Sequence, residues 1–207
     1  MQKLLEGLVE FKRNEFEQHK KLFENLGRQQ NPHTLFVGCS DSRVMPNMIT
    51  KTLPGELFMV RNIANIVPLY RQSSEFLATT SAIEYAIQVL NVGNIVVCGH
   101  SNCGGCAALY WDDEKLKSIP HTRKWLELSS KVREKVEKQL PDGDLAAREW
   151  LTEQINIVEQ IKHLFSYPFI KEKYQQSRLE IYGWYYIIET GEIYDYKKDK
   201  GCFELLN

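Results

Sequence analysis

The chain has 207 residues, 43% of them apolar and 26% charged, and its formal net charge is −1. That length suits one domain with short appended arms, and the near-zero charge argues against a protein drawn to nucleic acid or anionic lipid by a strong basic field. The cysteines are odd in number, and Cys98, Cys103 and Cys106 fall close together. This argues against a secreted disulfide framework and leaves metal binding, catalysis or plain burial.

Residues 2–26 read as a helix, with Leu4, Leu5, Leu8, Phe11, Phe16 and Leu22 on one stripe between charges. Gly27 and Pro32 end it. This arm precedes the first strand, and residues 1–30 are expected to pack on a partner subunit. The segment MQKLLEGLVEFKRNEF is broken by charge and lacks the apolar core of a signal peptide. The longest apolar runs are strand-sized, well short of the ~20 residues of a membrane helix. A cytoplasmic location without membrane attachment is therefore expected.

Thr34–Cys39, Leu57–Arg61 and Asn94–Cys98 are short apolar runs suited to strands buried on both faces. Helical patterns lie between and after them, roughly over 74–91 and 104–111. The alternating charges of Lys131–Lys138 fit a solvated helix face. Residues 144–166 carry Leu151, Ile155, Val158, Ile161 and Phe165 at helical spacing. Leu179–Ile188 and Glu192–Tyr196 flank Thr190–Gly191 as a hairpin does. Strands alternating with helices predict an α/β fold: a mostly parallel central sheet flanked by helices, with an N-terminal helical arm. One domain over 1–207 is the economical reading. Ligands in such sheets gather at the carboxyl ends of strands, where Cys39 and His100 fall.

The chemistry concentrates in two clusters, Cys39-Ser-Asp41-Ser-Arg43 and His100-Ser-Asn-Cys103-Gly-Gly. Zinc favours thiolate and imidazole, and two Cys with one His, leaving a position for water, is a known catalytic set. Two residues separate His100 from Cys103, so one loop can bring both to one ion, and Gly99, Gly104 and Gly105 permit tight backbone geometry around them. Cys103 is expected to open a helix. Taken singly, Cys39 is more often core and His100 more often a hydrogen-bonded structural histidine. Cys103 and Cys106 also spell C-x-x-C, a redox or zinc-knuckle pattern. If the segment is extended, Asp41 and Arg43 point the same way. Arginine would then grip the carboxylate with two hydrogen bonds and keep it ionised, although a structural ion pair would look the same.

These clusters, with Pro54-Gly55-Glu56, Arg61-Asn62-Ile63-Ala64-Asn65, Ala82-Ile83-Glu84-Tyr85-Ala86 and Gly183-Trp184, resemble the β-carbonic anhydrase family over most of the chain. Arg43-Val-Met-Pro46 is similar to the plant-like branch. The resemblance implies one zinc per subunit, held by Cys39, His100 and Cys103, and a catalytic dyad of Asp41 and Arg43. In a closed state Asp41 becomes a fourth ligand. It implies a carbon dioxide pocket of Gln30, Phe58, Ile63 and Tyr85, with Ile63 in place of the usual valine. It also implies a homodimer or homotetramer. The expected activity is reversible hydration of carbon dioxide to bicarbonate, through zinc-bound hydroxide oriented by Asp41, in the service of carbon utilization. A carbon disulfide or carbonyl sulfide hydrolase, a closed structural zinc module and a C-x-x-C redox protein are the rivals. Cys98 and Cys202 are assigned burial only.

Overall fold

Runs rich in valine, isoleucine and aromatic residues form the strands, as their side chains favour a pleated, buried surface. A computed structural model of the protein describes residues 1–206 apart from Ser74, Phe76, Asp142 and Gly143. The chain divides into two units, Met1–Asn31 and Pro32–Asn207.

The first unit is helical in three pieces rather than one: α1 (Gln2–Arg13), α2 (Glu15–Gln18) and α3 (Lys20–Leu26). Asn14 and His19, both poor helix formers, mark the breaks: Asn14 stays in the helical region at φ −109° and ψ −77°, and His19 leaves it at φ −108° and ψ 21°. The breaks let Phe16 stack on Phe23 at 5.2 Å between centroids and bring Phe11 edge-on to Phe23. The single stripe expected over 2–26 is therefore split, and Leu4, Leu5 and Leu8 stay exposed.

In the second unit come β1 (Thr34–Cys39), α4 (Pro46–Thr50), β2 (Leu57–Asn62), α5 (Ala78–Glu84) continued by a π-helical turn at Tyr85–Val89, β3 (Asn94–His100), α6 (Gly104–Ala107), α7 (Asp113–Lys117), α8 (Pro120–Leu126), α9 (Ser130–Gln139), α10 (Leu145–Leu164), α11 (Pro168–Gln175), β4 (Glu180–Tyr186), β5 (Ile193–Lys197) and β6 (Cys202–Leu205). Among the described residues the strands form one sheet in the order β2-β1-β3-β4-β5-β6. The first four are parallel, and β5 and β6 are added antiparallel. The sheet is thus mixed, with the expected parallel core flanked by helices.

Leu35, Val37, Ile95 and Val97 alternate onto one face and meet Ile83, Ile87, Ile157, Leu164, Tyr167 and Ile170 in the main core. α10 lies close over β3 and β4. A Cβ added at Gly99 would come within 2.8 Å of the Ile157 side chain, and one at Gly183 within 2.7 Å of Ile161. These two strand glycines set the depth at which α10 docks.

The helix expected over 144–166 is present as α10, and its inward face is largely polar. Leu151, Ile155, Val158, Ile161 and Phe165 are only half-buried, while Thr152, Glu153, Asn156, Gln160 and His163 are buried with Ile157 and Leu164. The helix turns polar groups inward because backbone groups there need partners. Asn156 Nδ2 donates to Ala64 O, Gln160 Oε1 accepts from Val67 N, and His163 Nδ1 pairs with Val67 O. The segment leaving β2 is thereby fastened to α10. α9 is solvated as its charge pattern predicts, with Val132 and Val136 turned inward. Cys98 is buried, but Cys202 is exposed, because it opens β6 at the sheet's edge.

Candidate metal centre

β1 and β3 are adjacent and parallel, so their carboxyl ends coincide. β1 ends on Cys39 and β3 on His100, and the following turn returns Cys103 to the same place. The ligating atoms of Cys39, His100 and Cys103 lie within 4.8 Å of one another, and all three residues are buried. The two sulfurs are 4.0 Å apart.

The orientation of His100 is set by its other nitrogen. Nδ1 lies 2.9 Å from the Ser101 carbonyl. A carbonyl only accepts, so Nδ1 carries the proton and Nε2 presents a lone pair. That Nε2 is buried and has no hydrogen-bond partner. Such an orphan costs about 1–3 kcal/mol in an apolar site, and a cation shared with the two sulfurs relieves it. The donor set fits zinc by its chemistry, soft thiolates with an imidazole whose second nitrogen is anchored.

Without a cation, both thiols hold their protons. The thiol of Cys103 as a neighbour, together with burial, pushes the Cys39 thiol up to about 12. The Cys103 thiol is pushed higher, first by the Cys106 thiol beside it. Cys103 caps α6, a short turn with no side-chain cap of its own. Gly105 is needed for a different reason from flexibility: a Cβ there would stand 2.9 Å from the side chains of Ile63 and Ala64. At Gly104 the space is open.

Asp41 and Arg43 are brought together, though not by extended backbone. Val44 N donates to Asp41 O at 3.0 Å, closing a turn, and Arg43 N donates to Asp41 Oδ1 at 3.0 Å. The Arg43 guanidinium closes on both carboxylate oxygens, and Nη2 also donates to Asn102 O. These hydrogen bonds hold the Asp41 carboxyl well below the usual carboxylate range. Asp41 Oδ2 lies 3.9 Å from His100 Nε2, beside the three-residue cluster and committed to Arg43.

Of the pocket residues, Phe58 and Tyr85 meet with ring centroids 6.0 Å apart. Tyr85 opens the π-helical turn and is 44% exposed, and Ile63 is 40% exposed. Gln30 belongs to the Met1–Asn31 unit. His33 precedes β1 and so lies at the strand end opposite Cys39.

Three residues with no role assigned from sequence complete the surroundings. Arg61 donates to the carbonyls of Cys39 and Asp41 at 2.9 and 2.6 Å. Glu189, at the tip between β4 and β5, accepts from Ser101 Oγ and Asn102 Nδ2. Glu153 accepts from Cys103 N. Only Arg61, inside a quoted motif, carried any signal in the sequence.

Residues 34–193 match the family model described as carbonic anhydrase. The chain is 43% identical over 202 residues to a carbonic anhydrase of Helicobacter pylori, covering 96% of this chain and 91% of that one. Its fold is similar to the solved β-carbonic anhydrase CcaA, with TM-score 0.95 and 35% identity over 100% of this chain and 92% of that chain. It is also similar to one of two tetrameric β-carbonic anhydrases solved from Sordaria macrospora, with TM-score 0.83 and 33% identity, covering 98% of each chain. With the matched model spanning most of its length and relatives of this identity, the chain belongs to the β-carbonic anhydrase family.

Proposed function

We propose that this carbonic anhydrase interconverts carbon dioxide with bicarbonate and a proton, using one zinc ion held by Cys39, His100 and Cys103 and a dyad of Asp41 and Arg43. One observation supports the ligand set above all: the buried, unpartnered Nε2 of His100 faces two cysteine sulfurs within 4.8 Å. Zinc bound there supplies Lewis acidity that makes a coordinated water acidic enough to react near neutral pH.

The chain's own residues then orient and exclude. Arg43 keeps Asp41 ionised and fixes the direction of its oxygens. Asp41 accepts a hydrogen bond from the attacking water and thereby aims it at the substrate. Phe58, Ile63 and Tyr85 supply apolar walls for a small nonpolar molecule, and the family resemblance names Gln30 as the candidate donor for its oxygens.

A homodimer or homotetramer belongs to the same reading. Met48, Met59 and Val89 are exposed apolar side chains on the second unit, which suits a face covered by a partner subunit. The exposed Leu4, Leu5 and Leu8 of α1 suit an arm packed on a partner subunit. No helix among the described residues is long and apolar enough to cross a membrane, and the five cysteines are free, which agrees with a reducing cytoplasm.

Stopped-flow carbon dioxide hydration on zinc-loaded protein, with zinc content measured on the same sample, is the test. Turnover far above buffer with one zinc per chain supports the reading. Bound zinc without turnover would leave a structural site and overturn it.

A further inference from the structure

Cys103 differs from the other two candidate ligands in how its backbone is held. Cys39 ends a strand paired on both sides, and His100 ends another. Cys103 sits just past a turn whose Asn102 has a positive φ of 54°, and the helix it opens has four residues. Neither neighbour fixes it as a sheet would.

What does hold it is a buried carboxylate from α10. Glu153 is 3% exposed. Its Oε1 accepts from Cys103 N at 2.7 Å, and its Oε2 accepts from Tyr185 Oη at 2.7 Å. Tyr185 is itself buried, in β4, and pairs in register with Gly99 of β3. The carboxylate is therefore strung between the sheet and the ligand loop. The close docking of α10 on Gly99 and Gly183 brings it within reach. The carboxylate meets the loop at the Cys103 backbone N–H rather than at its sulfur. Its two hydrogen bonds are therefore a matter of placement.

We propose that Glu153 is a positioning residue: by accepting the Cys103 backbone N–H it holds the Cys103 sulfur in ligand geometry, so that reach, rather than charge, governs how long the metal stays bound. The inference rests on the reading of Cys39, His100 and Cys103 as zinc ligands.

Two substitutions separate reach from charge. Glu153→Gln keeps the acceptor where it is and removes the charge. Glu153→Asp keeps the charge and draws the acceptor back by one methylene. The readouts are the rate of zinc transfer from holoenzyme to an excess of chromogenic chelator and the visible spectrum of the cobalt-loaded protein. Glu153→Asp is expected to lose zinc about tenfold faster or more, the usual scale for a group that supports a metal ligand. It should also alter the thiolate-to-cobalt bands. Glu153→Gln should remain within about threefold of the unmodified protein, as a conservative rescue should.

Leu164→Ala, at the buried far end of α10, is the control for general loosening. It should lower stability and leave zinc release alone. The proposal is overturned if Glu153→Gln releases zinc as fast as Glu153→Asp, if both match the unmodified protein, or if Leu164→Ala releases zinc equally fast. A protein that binds no zinc before substitution would instead overturn the ligand assignment itself.

Discussion

Arg43 grips both oxygens of Asp41, Nε to Oδ1 at 2.9 Å and Nη2 to Oδ2 at 2.7 Å, within a turn that also ties Arg43 to the Asn102 carbonyl. The pair joins the loop after β1 to the loop after β3, so the group proposed to aim the nucleophile is fixed against the elements that carry the ligands.

Asp41→Asn is expected to retain zinc and to lower hydration by about a hundredfold or more, since an amide turned the wrong way offers a donor where an acceptor is required. Zinc analysis beside stopped-flow turnover checks this. Loss of zinc together with activity would make Asp41 a ligand rather than an orienting group.

The acid dependence follows from the same pair. Arg43 depresses the Asp41 carboxyl in the folded state, so the stabilisation it gives is complete above the unfolded carboxyl value of about 3.9 and is lost as pH falls through the lower folded value. Arg43→Met should bring Asp41 back toward that ordinary value and shift acid unfolding to higher pH. An acid-unfolding midpoint unmoved by the substitution would show that the pair contributes nothing to stability.

Zinc uptake should release one proton from each of Cys39 and Cys103 at about pH 8, because both thiols are held protonated when no cation is bound. A pH indicator in weak buffer reads the stoichiometry, and release of a single proton would exclude one thiolate. Two thiolates also offset the charge of a divalent ion, so hydration should rise from about pH 6.5 toward pH 9, above the range of a site with three neutral histidines. A flat profile over that interval would count against the ligand set.

Cys106 is buried among Cys39, Ala64 and Ile66, one turn beyond Cys103. Cys106→Ser should leave zinc content intact and activity within about twofold, at a cost of about 1–3 kcal/mol for the hydroxyl placed in an apolar cluster. A large loss of turnover with zinc still bound would revive a redox role for the C-x-x-C pair.

The strands that carry the site were legible because a buried parallel strand must be apolar throughout, and Thr34–Cys39 and Asn94–Cys98 are. The convergence of Cys39 and His100 followed from that placement. The supporting groups were not legible. Glu153 and Asn156 sit among charged and polar neighbours, and α10 shows an apolar stripe at Leu151, Ile155 and Val158 that reads as the inward face. The true inward face is rotated toward the polar residues, because unpaired backbone at Ala64, Val67 and Cys103 outweighs the burial of a few methylenes. The Asp41–Arg43 contact was expected from an extended segment and is made by a turn, since in both geometries residues two apart can meet. Cys202 was taken for core, but no local pattern tells an edge strand from an inner one.

Cys39 and Cys103 are separated by 64 positions in the chain. An ion bridging them closes that span as a covalent staple would, and the entropy removed from the unfolded chain by a loop of this length is worth about 4 kcal/mol. Loss of metal would then be felt well beyond chemistry at the site: the unfolded chain would regain that freedom, and the fold would lose stability although its own sheet contacts are unchanged.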